Sequence, residues 1–342
     1  MKSKSKVKCL ALAAAIILTG CKNYNEADIK TTEFFAMDTY ISISAYGSDS
    51  KEAEKALDNC RKEIKSLDSQ FSVTNADSEV SRINGSKGQG ISLSNDADKI
   101  LTSALELSEK TKGALDISLY PIVREWGFTT GEYKIPSKET LAELLKNTGY
   151  EKISCKDNFL TMPEEFMIDL GAVAKGYGSD RAIQILKEKG ITSALVNLGG
   201  NIALLGSKPD GSDWSVGVQN PFGDGYACVV KASDKYIVTS GNYQRYFEEG
   251  GKRYCHIIDP ETGCPVDNGL ASVTVIGDSG IICDGLSTAL FVMGEQGAAD
   301  FWRKQGDFEM IIVTEDKRVL ATEGIFGVCS GAELGGVIKI EK

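Results

Sequence analysis

Four short segments of this chain place side chains that could do chemistry. Asp284 and Thr288 stand one helical turn apart, off the apolar stripe of Ile282, Leu286, Ala289, Leu290 and Met293. A carboxylate and a hydroxyl at that spacing offer two hard oxygens of the kind Mg2+ takes, with substrate phosphates filling its other positions. A solvated helix face or a helix start would carry the same pair. Ile168 to Gly178 sets Asp169, a run of small residues and Lys175 where a helix should begin. Outward backbone N–H groups and one ammonium there can receive an anion. Asp169 acting as a helix cap, with tight glycine packing, accounts for the segment equally well. Val196 to Asn201 ends an apolar run on Gly199 and Gly200, which admit a ligand or a second backbone, or make a plain hairpin turn. His256, the only histidine, precedes a turn signal at Asp259, Pro260 and Gly263. A lone histidine is more often structural than catalytic.

Several chemistries are excluded. One histidine cannot build a His-rich zinc site or a scheme needing two imidazoles. No phosphate-binding loop or dinucleotide fingerprint occurs, since Lys175 precedes Gly176 in the wrong order, and no G-x-S-x-G elbow is present. With 38 Lys+Arg against 48 Asp+Glu the net charge is −10, so the chain lacks the basic surplus of a nucleic-acid binder. Charged residues at 25% and hydrophobic residues at 42% are globular values.

The elements that must position these groups follow from periodicity. Ala53, Ala56, Leu57, Cys60, Ile64 and Leu67 recur at helical spacing, so Lys51 to Leu67 is predicted helical. A second helix carries Ile100, Leu101, Ala104 and Leu105, capped by Asp96 or Asp98. A third spans Lys138 to Lys146, and a fourth Ala174 to Lys189, stopped by Gly190. Strands are predicted at Thr39–Tyr46, Ala194–Leu198, Trp214–Val218, Cys228–Lys231, Tyr236–Thr239, Ser272–Ile276, Met310–Val313 and Val337–Ile340. Helices and strands come in mixed order without a βαβ repeat. That is an α+β fold, a single layered domain of mixed sheets flanked by helices.

The first residues read as a targeting segment. Lys2, Lys4, Lys6 and Lys8 precede an apolar run from Cys9 to Leu18, too short to span a bilayer. Leu18-Thr-Gly-Cys21 resembles a bacterial lipobox, which divides the chain into a lipoprotein signal peptide (1–20), a lipidated tether (21–33) and a folded domain (34–342). The expectation is an exported lipoprotein held by Cys21 on the extracytoplasmic side of a membrane. Seven further cysteines, an odd number with no CxxC pair, predict mostly reduced thiols.

Taken in order, the segments resemble the ApbE family, the FAD:protein FMN transferases long labelled thiamine-biosynthesis lipoproteins. The likeness rests on Met37-Asp-Thr39, Gly113 to Ser118 with Pro121 and Trp126 to Phe128, and Asp169 to Gly178. It continues through Asn197 to Asn201, Trp214 to Pro221, Thr239 to Tyr246, His256 to Gly263 and Asp284 to Thr288. It runs from about Phe34 to the C-terminus, with the lipobox as a further match. The resemblance implies a Mg2+-dependent transfer of FMN from FAD to a threonine hydroxyl of an exported acceptor, releasing AMP. That acceptor would carry a flavinylation motif, as in a redox-pump subunit or an FMN-binding-domain protein. It further implies FAD contacts at Met37, Ala114, Leu115, Asp116, Asp169 and Lys175, with Phe71 as an aromatic wall. Metal oxygens would come from Asp284, Thr288 and the backbone of Ala172, and His256 would be the catalytic base, an imidazole near neutral pKa.

Gly171-Ala172 stands where the family often has Gly-Gly or Ser, and Cys255 and Cys264 flank the histidine motif where other residues are usual. Asp284 to Thr288 superficially resembles an acceptor's own flavinylation sequence, but the following Ala-Leu does not complete it. Two other functions share these residues: a Mg2+-dependent FAD pyrophosphatase giving FMN and AMP, and an FAD-binding lipoprotein without turnover.

Overall fold

The helical spacing from Ala53 to Leu67 yields a helix over Ser50–Phe71 in the computed structural model, which describes residues 29–46, 50–330 and 334–342. It packs on one face of a nine-stranded sheet. The strand order is Ile29–Ala36, Thr39–Tyr46, Ser193–Leu198, Asn201–Leu205, Tyr236–Gly241, Leu270–Gly277, Glu309–Thr314, Val319–Thr322 and Val337–Ile340. All neighbours run antiparallel except the last pair. The helices Ala174–Glu188 and Gly280–Gln305 complete the layer on that face. A small sheet of Cys329–Ser330, Tyr226–Ala232 and Trp214–Gln219 covers part of the other.

Alternation along the strands explains both cores. Ala194, Val196 and Leu198 meet Ala182, Ile183 and Leu186 on the helix side, while Leu195 meets Trp214, Val216 and Val218 of the small sheet. Covered on both faces, Ser193–Leu198 is buried throughout, which is why it reads as one continuous apolar run. A third core gathers the helix Asn95–Lys110 and both halves of Gly280–Gln305, which kinks at Gly294 (φ 73). A fourth, aromatic, joins the short helix Tyr120–Glu125 to the hairpin Tyr246–Glu249/Lys252–Cys255.

Two expectations are corrected. The sheet already includes Ile29 to Glu33, ahead of the expected boundary at Phe34, because they pair with Tyr46 to Ser42, and the strand's Phe34 and Ala36 are buried with the helix Ser50–Phe71. The second helix is capped by Ser94, whose Oγ accepts from Ala97 N at 3.1 Å, leaving Asp96 to accept from Tyr177 OH. The seven cysteines past Cys21 are free thiols. Residues 1–20 and Cys21 lie outside the described residues, and no described helix is long and apolar enough to cross a membrane.

Candidate active site

Two glycines bring the chemistry together. Gly176 and Gly280 let the starts of two helices touch backbone to backbone: a Cβ built on Gly176 would stand 2.2 Å from Gly280 O and 2.7 Å from Asp284 Cβ. That crossing sets Asp284 Oδ2 2.8 Å from Gly176 N, which donates to it. Asp180, one turn on, caps the partner helix from outside by accepting from Gly280 N at 2.8 Å and Ile281 N at 2.9 Å. Asp284 is only 4% exposed, so it lies on no solvated face, and it sits inside its own helix, whose N-cap is Ser279, while its carboxylate serves the first turn of the facing helix. Burial raises its carboxyl above the usual range. Lys175, Asn201 and the Gly176 N–H pull it back. Asn201, also buried, faces it with an Nδ2 that makes no close hydrogen bond.

One turn along, Thr288 Oγ1 lies 3.2 Å from Ser240 Oγ, which also bonds Ser287 Oγ at 2.7 Å. Two hairpin tips close this end of the sheet. Met37 (φ 52) and Asp38 (φ 56) form one, and Gly199 (φ 63) and Gly200 (φ 101) the other. A left-handed Met costs roughly 1–2 kcal/mol, and such strain gathers at functional sites. Gly199 is both a turn and a close approach, since a Cβ there would meet Thr39 Oγ1 at 2.0 Å.

His256 enters from the aromatic unit. It follows directly on the strand Lys252–Cys255, and its ring meets Phe128 edge-on at 6.4 Å. Its backbone N donates to Arg245 O at 3.0 Å, and its Nδ1 lies 3.2 Å from the same oxygen. A carbonyl can only accept, so Nδ1 carries the proton and Nε2 is left as the free base. Burial, then the Arg245 guanidinium and the Lys175 ammonium, push its pKa down to about 3. The ring is only half covered, but both cations act in the same direction as burial. The expected near-neutral imidazole is therefore corrected: without substrate it is an uncharged, weak base. Asp169 accepts from Gly171 N at 2.7 Å, and its carboxyl is raised by burial against the pull of Gly171 N–H, Arg245 and Lys175. Lys175 thus lies in the field of Asp169, His256 and Asp284 together.

The structure collects Met37, Asp169, Lys175, His256, Asp284 and Thr288 around one end of the sheet, with Ala172 in the turn that opens the helix Ala174–Glu188. Other expected contacts lie differently. Asp116 is spent internally, accepting from Ser118 N at 2.8 Å and Tyr150 N at 3.2 Å. It shapes the turn whose Ile117 O accepts from Asp169 N. Leu115 points into the core, with its backbone N donating to Thr111 Oγ1 at 3.2 Å, and Ala114 packs half-buried at the core's edge. Phe71 is 5% exposed and packs edge-on to Tyr177, so its ring, held by the core, offers no wall as the protein stands. Sequence reading assigned no role to Asp180, nor to Ser240 and Arg245, although the latter two lie in the Thr239 to Tyr246 segment that carries the resemblance. Arg245 reaches Asp38 Oδ2 at 3.1 Å.

Residues 37–312 match the ApbE family over most of the chain. The chain belongs to the ApbE family. The FAD:protein FMN transferase of Vibrio cholerae is 34% identical over 316 residues, covering 90% of this chain and 94% of the relative. That of Haemophilus influenzae is 31% identical over 320 residues, covering 90% and 92%. The crystal structure of the ApbE protein from Thermotoga maritima aligns with a TM-score of 0.82 at 30% identity, covering 86% of this chain and 97% of that one. The flavin transferase ApbE from Vibrio cholerae aligns with a TM-score of 0.77 at 29% identity, covering 86% and 98%. The α+β layering is thus that of the family's solved structures.

Proposed function

We infer that the protein is an FAD:protein FMN transferase acting on a threonine of an exported acceptor. The observation that carries this reading is the tautomer of His256, with Nε2 free at a site flanked by Lys175 and Arg245. A base and two cations suit attack by a hydroxyl on a pyrophosphate. The threonine oxygen forms a bond to the phosphorus of the FMN half. The bond from that phosphorus to the bridging oxygen breaks, AMP leaves with the electron pair, and the hydroxyl proton passes to Nε2. Lys175 and Arg245 hold the phosphates, and Asp38 gives up Arg245 as they bind. The incoming negative charge offsets both cations, so His256 becomes a stronger base when substrate is present.

The donor set fits Mg2+. Asp284 is a buried carboxylate without an ion-pair partner among the described residues, and Thr288 and the Ala172 carbonyl add neutral oxygens. These residues would hold the ion, which when bound neutralises pyrophosphate charge. Ser240 fixes the hydroxyl of Thr288, and Asp180 fixes the helix that carries Asp284. We further propose that Cys21 is lipidated and tethers the enzyme outside the cytoplasm. Incubation with FAD, Mg2+ and an FMN-binding-domain acceptor, followed by intact mass of the acceptor, tests the reading. A gain of one FMN is expected, and an unchanged mass beside released FMN would replace it with hydrolysis.

A further inference from the structure

Two neighbouring strands of the large sheet each send one small polar side chain onto the helix that holds Asp284 and Thr288. Ser240, on Tyr236–Gly241, meets Thr288 Oγ1 at 3.2 Å. Asn201, on Asn201–Leu205, meets Asp284. Its direction follows from alternation. Ala203 and Leu205 pack with the helices, and Ile202 and Leu204 with the small sheet, so Asn201 faces the helices. There its amide lies near enough to Asp284 to favour the charged carboxylate.

Asn201 has little freedom. It is 2% exposed and stands directly opposite Leu198 across the two-residue turn at Gly199 and Gly200. Asn197 Oδ1 accepts from Gly200 N at 3.0 Å and pins that turn, while Gly199 presses against Thr39. Yet Nδ2 stops short of a full hydrogen bond to the carboxylate and has no other partner. A buried donor without a partner is costly, so native proteins keep few of them, and one aimed into a site points to a bond completed there. An amide also suits the place chemically. It is neutral, so it can hold a carboxylate without cancelling the charge a cation needs, as Lys or Arg would. Gly176 N, at 2.8 Å from Oδ2, is a second neutral donor to the same group.

Resting on the metal reading above, we propose that Asn201 is the positioning residue of the Mg2+ site: Nδ2 closes onto the Asp284 carboxylate when the ion binds and, with Gly176 N, fixes the plane in which that carboxylate meets it. Two donors from different elements leave the carboxylate one orientation, so little ordering remains for the ion to impose. Hydrogen bonds of this outer kind typically govern about 10–100-fold of metal affinity. The sheet thus holds both side-chain oxygens of the site, Asp284 through Asn201 and Thr288 through Ser240.

The test uses Asn201→Leu and Asn201→Ala in the full chain, with Mn2+ as the probe, a cation that carboxylate and carbonyl oxygens take as they take Mg2+. Leucine keeps the volume and removes the amide, and alanine carries the test should leucine disturb the packing. Mn2+ binding is read by electron paramagnetic resonance in a His256→Ala background loaded with one equivalent of FAD, so that turnover does not consume it. The Mn2+ dissociation constant should rise about 10–100-fold, with FAD affinity in the absence of metal unchanged. With His256 restored, FMN transfer lost at low Mg2+ should return when Mg2+ is raised by the same factor. Asp284→Ala is the reference. If it weakens Mn2+ binding while both Asn201 variants bind as the parent does, Asn201 does not position the ion and the metal reading stands. If Asp284→Ala itself binds Mn2+ like the parent, the metal reading falls and this inference with it. A lower metal-free Tm beside unchanged Mn2+ affinity makes Asn201 structural and overturns the proposal. Weaker FAD binding without metal assigns the amide to FAD and overturns it too.

Discussion

Gly176→Ala probes the contact that creates the site. The added methyl would stand 2.2 Å from Gly280 O, 2.6 Å from Gly280 C and 2.7 Å from Asp284 Cβ, where real contacts do not fall below 3.0 Å. Two of those atoms are backbone, so the helix starts must part by about 1 Å, because packed interiors have little slack. Overpacking of this kind costs about 1–3 kcal/mol, and for a domain of this size Tm falls roughly 1–2 °C per kcal/mol. The same shift stretches the hydrogen bond from Gly176 N to Asp284 and moves that carboxylate. A displacement near 1 Å costs on the order of 10²-fold in rate. Calorimetry and FMN transfer at several Mg2+ concentrations read both effects. Gly190→Ala is the control: φ is 74 there with nothing within 4 Å, so it should lose stability but not activity. If Gly176→Ala transfers FMN within a fewfold of wild type, the helix crossing does not set the geometry of the site.

Other outcomes follow from the same contacts. His256→Ala should slow transfer by about 10²–10⁴-fold with FAD binding kept. Because His256 titrates at about 3 in the free protein, kcat/KM should stay flat through the ordinary imidazole range near 6.5, while the acid limb of kcat lies higher, with phosphates bound. An inflection of kcat/KM near 6.5 that disappears in His256→Ala would contradict this. The depressed value also has a sign for stability: the neutral histidine's contribution is full above 6.5 and is lost as the pH falls from 6.5 toward 3, where the unfolded chain takes the proton. Asp180→Ala removes the only side-chain cap of Gly280–Gln305 and should cost about 1–2 kcal/mol in urea unfolding. Cys21→Ser should move the protein from membranes to the soluble exported fraction, and unchanged membrane retention would count against lipidation.

Much of this was legible in the chain. Period 3.6 from Ala53 to Leu67 and the alternation from Thr39 to Tyr46 each describe one buried face, so pattern and packing agree. Ile29–Ala36 escaped because an edge strand with one face open carries Thr and Glu among its apolar residues, and only pairing with its neighbour reveals it. At the site, the i, i+4 spacing of Asp284 and Thr288 was visible, but Asp284's burial was not. That depends on Gly176 meeting Gly280 from more than a hundred positions away. For the same reason Arg245 and the tautomer of His256 were out of reach. Each is set by a backbone carbonyl or a carboxylate brought in by the fold rather than by any local pattern.

The central claim is that this site delivers FMN to a hydroxyl of another protein. The direct measurement is the time course of AMP release beside covalent flavin on a supplied FMN-binding-domain acceptor, at saturating FAD and Mg2+. The account predicts one AMP for each flavinylated acceptor, with AMP slowed strongly when acceptor is withheld and both products lost together in His256→Ala. AMP appearing at the same rate with and without acceptor, and no flavin bound, would contradict it.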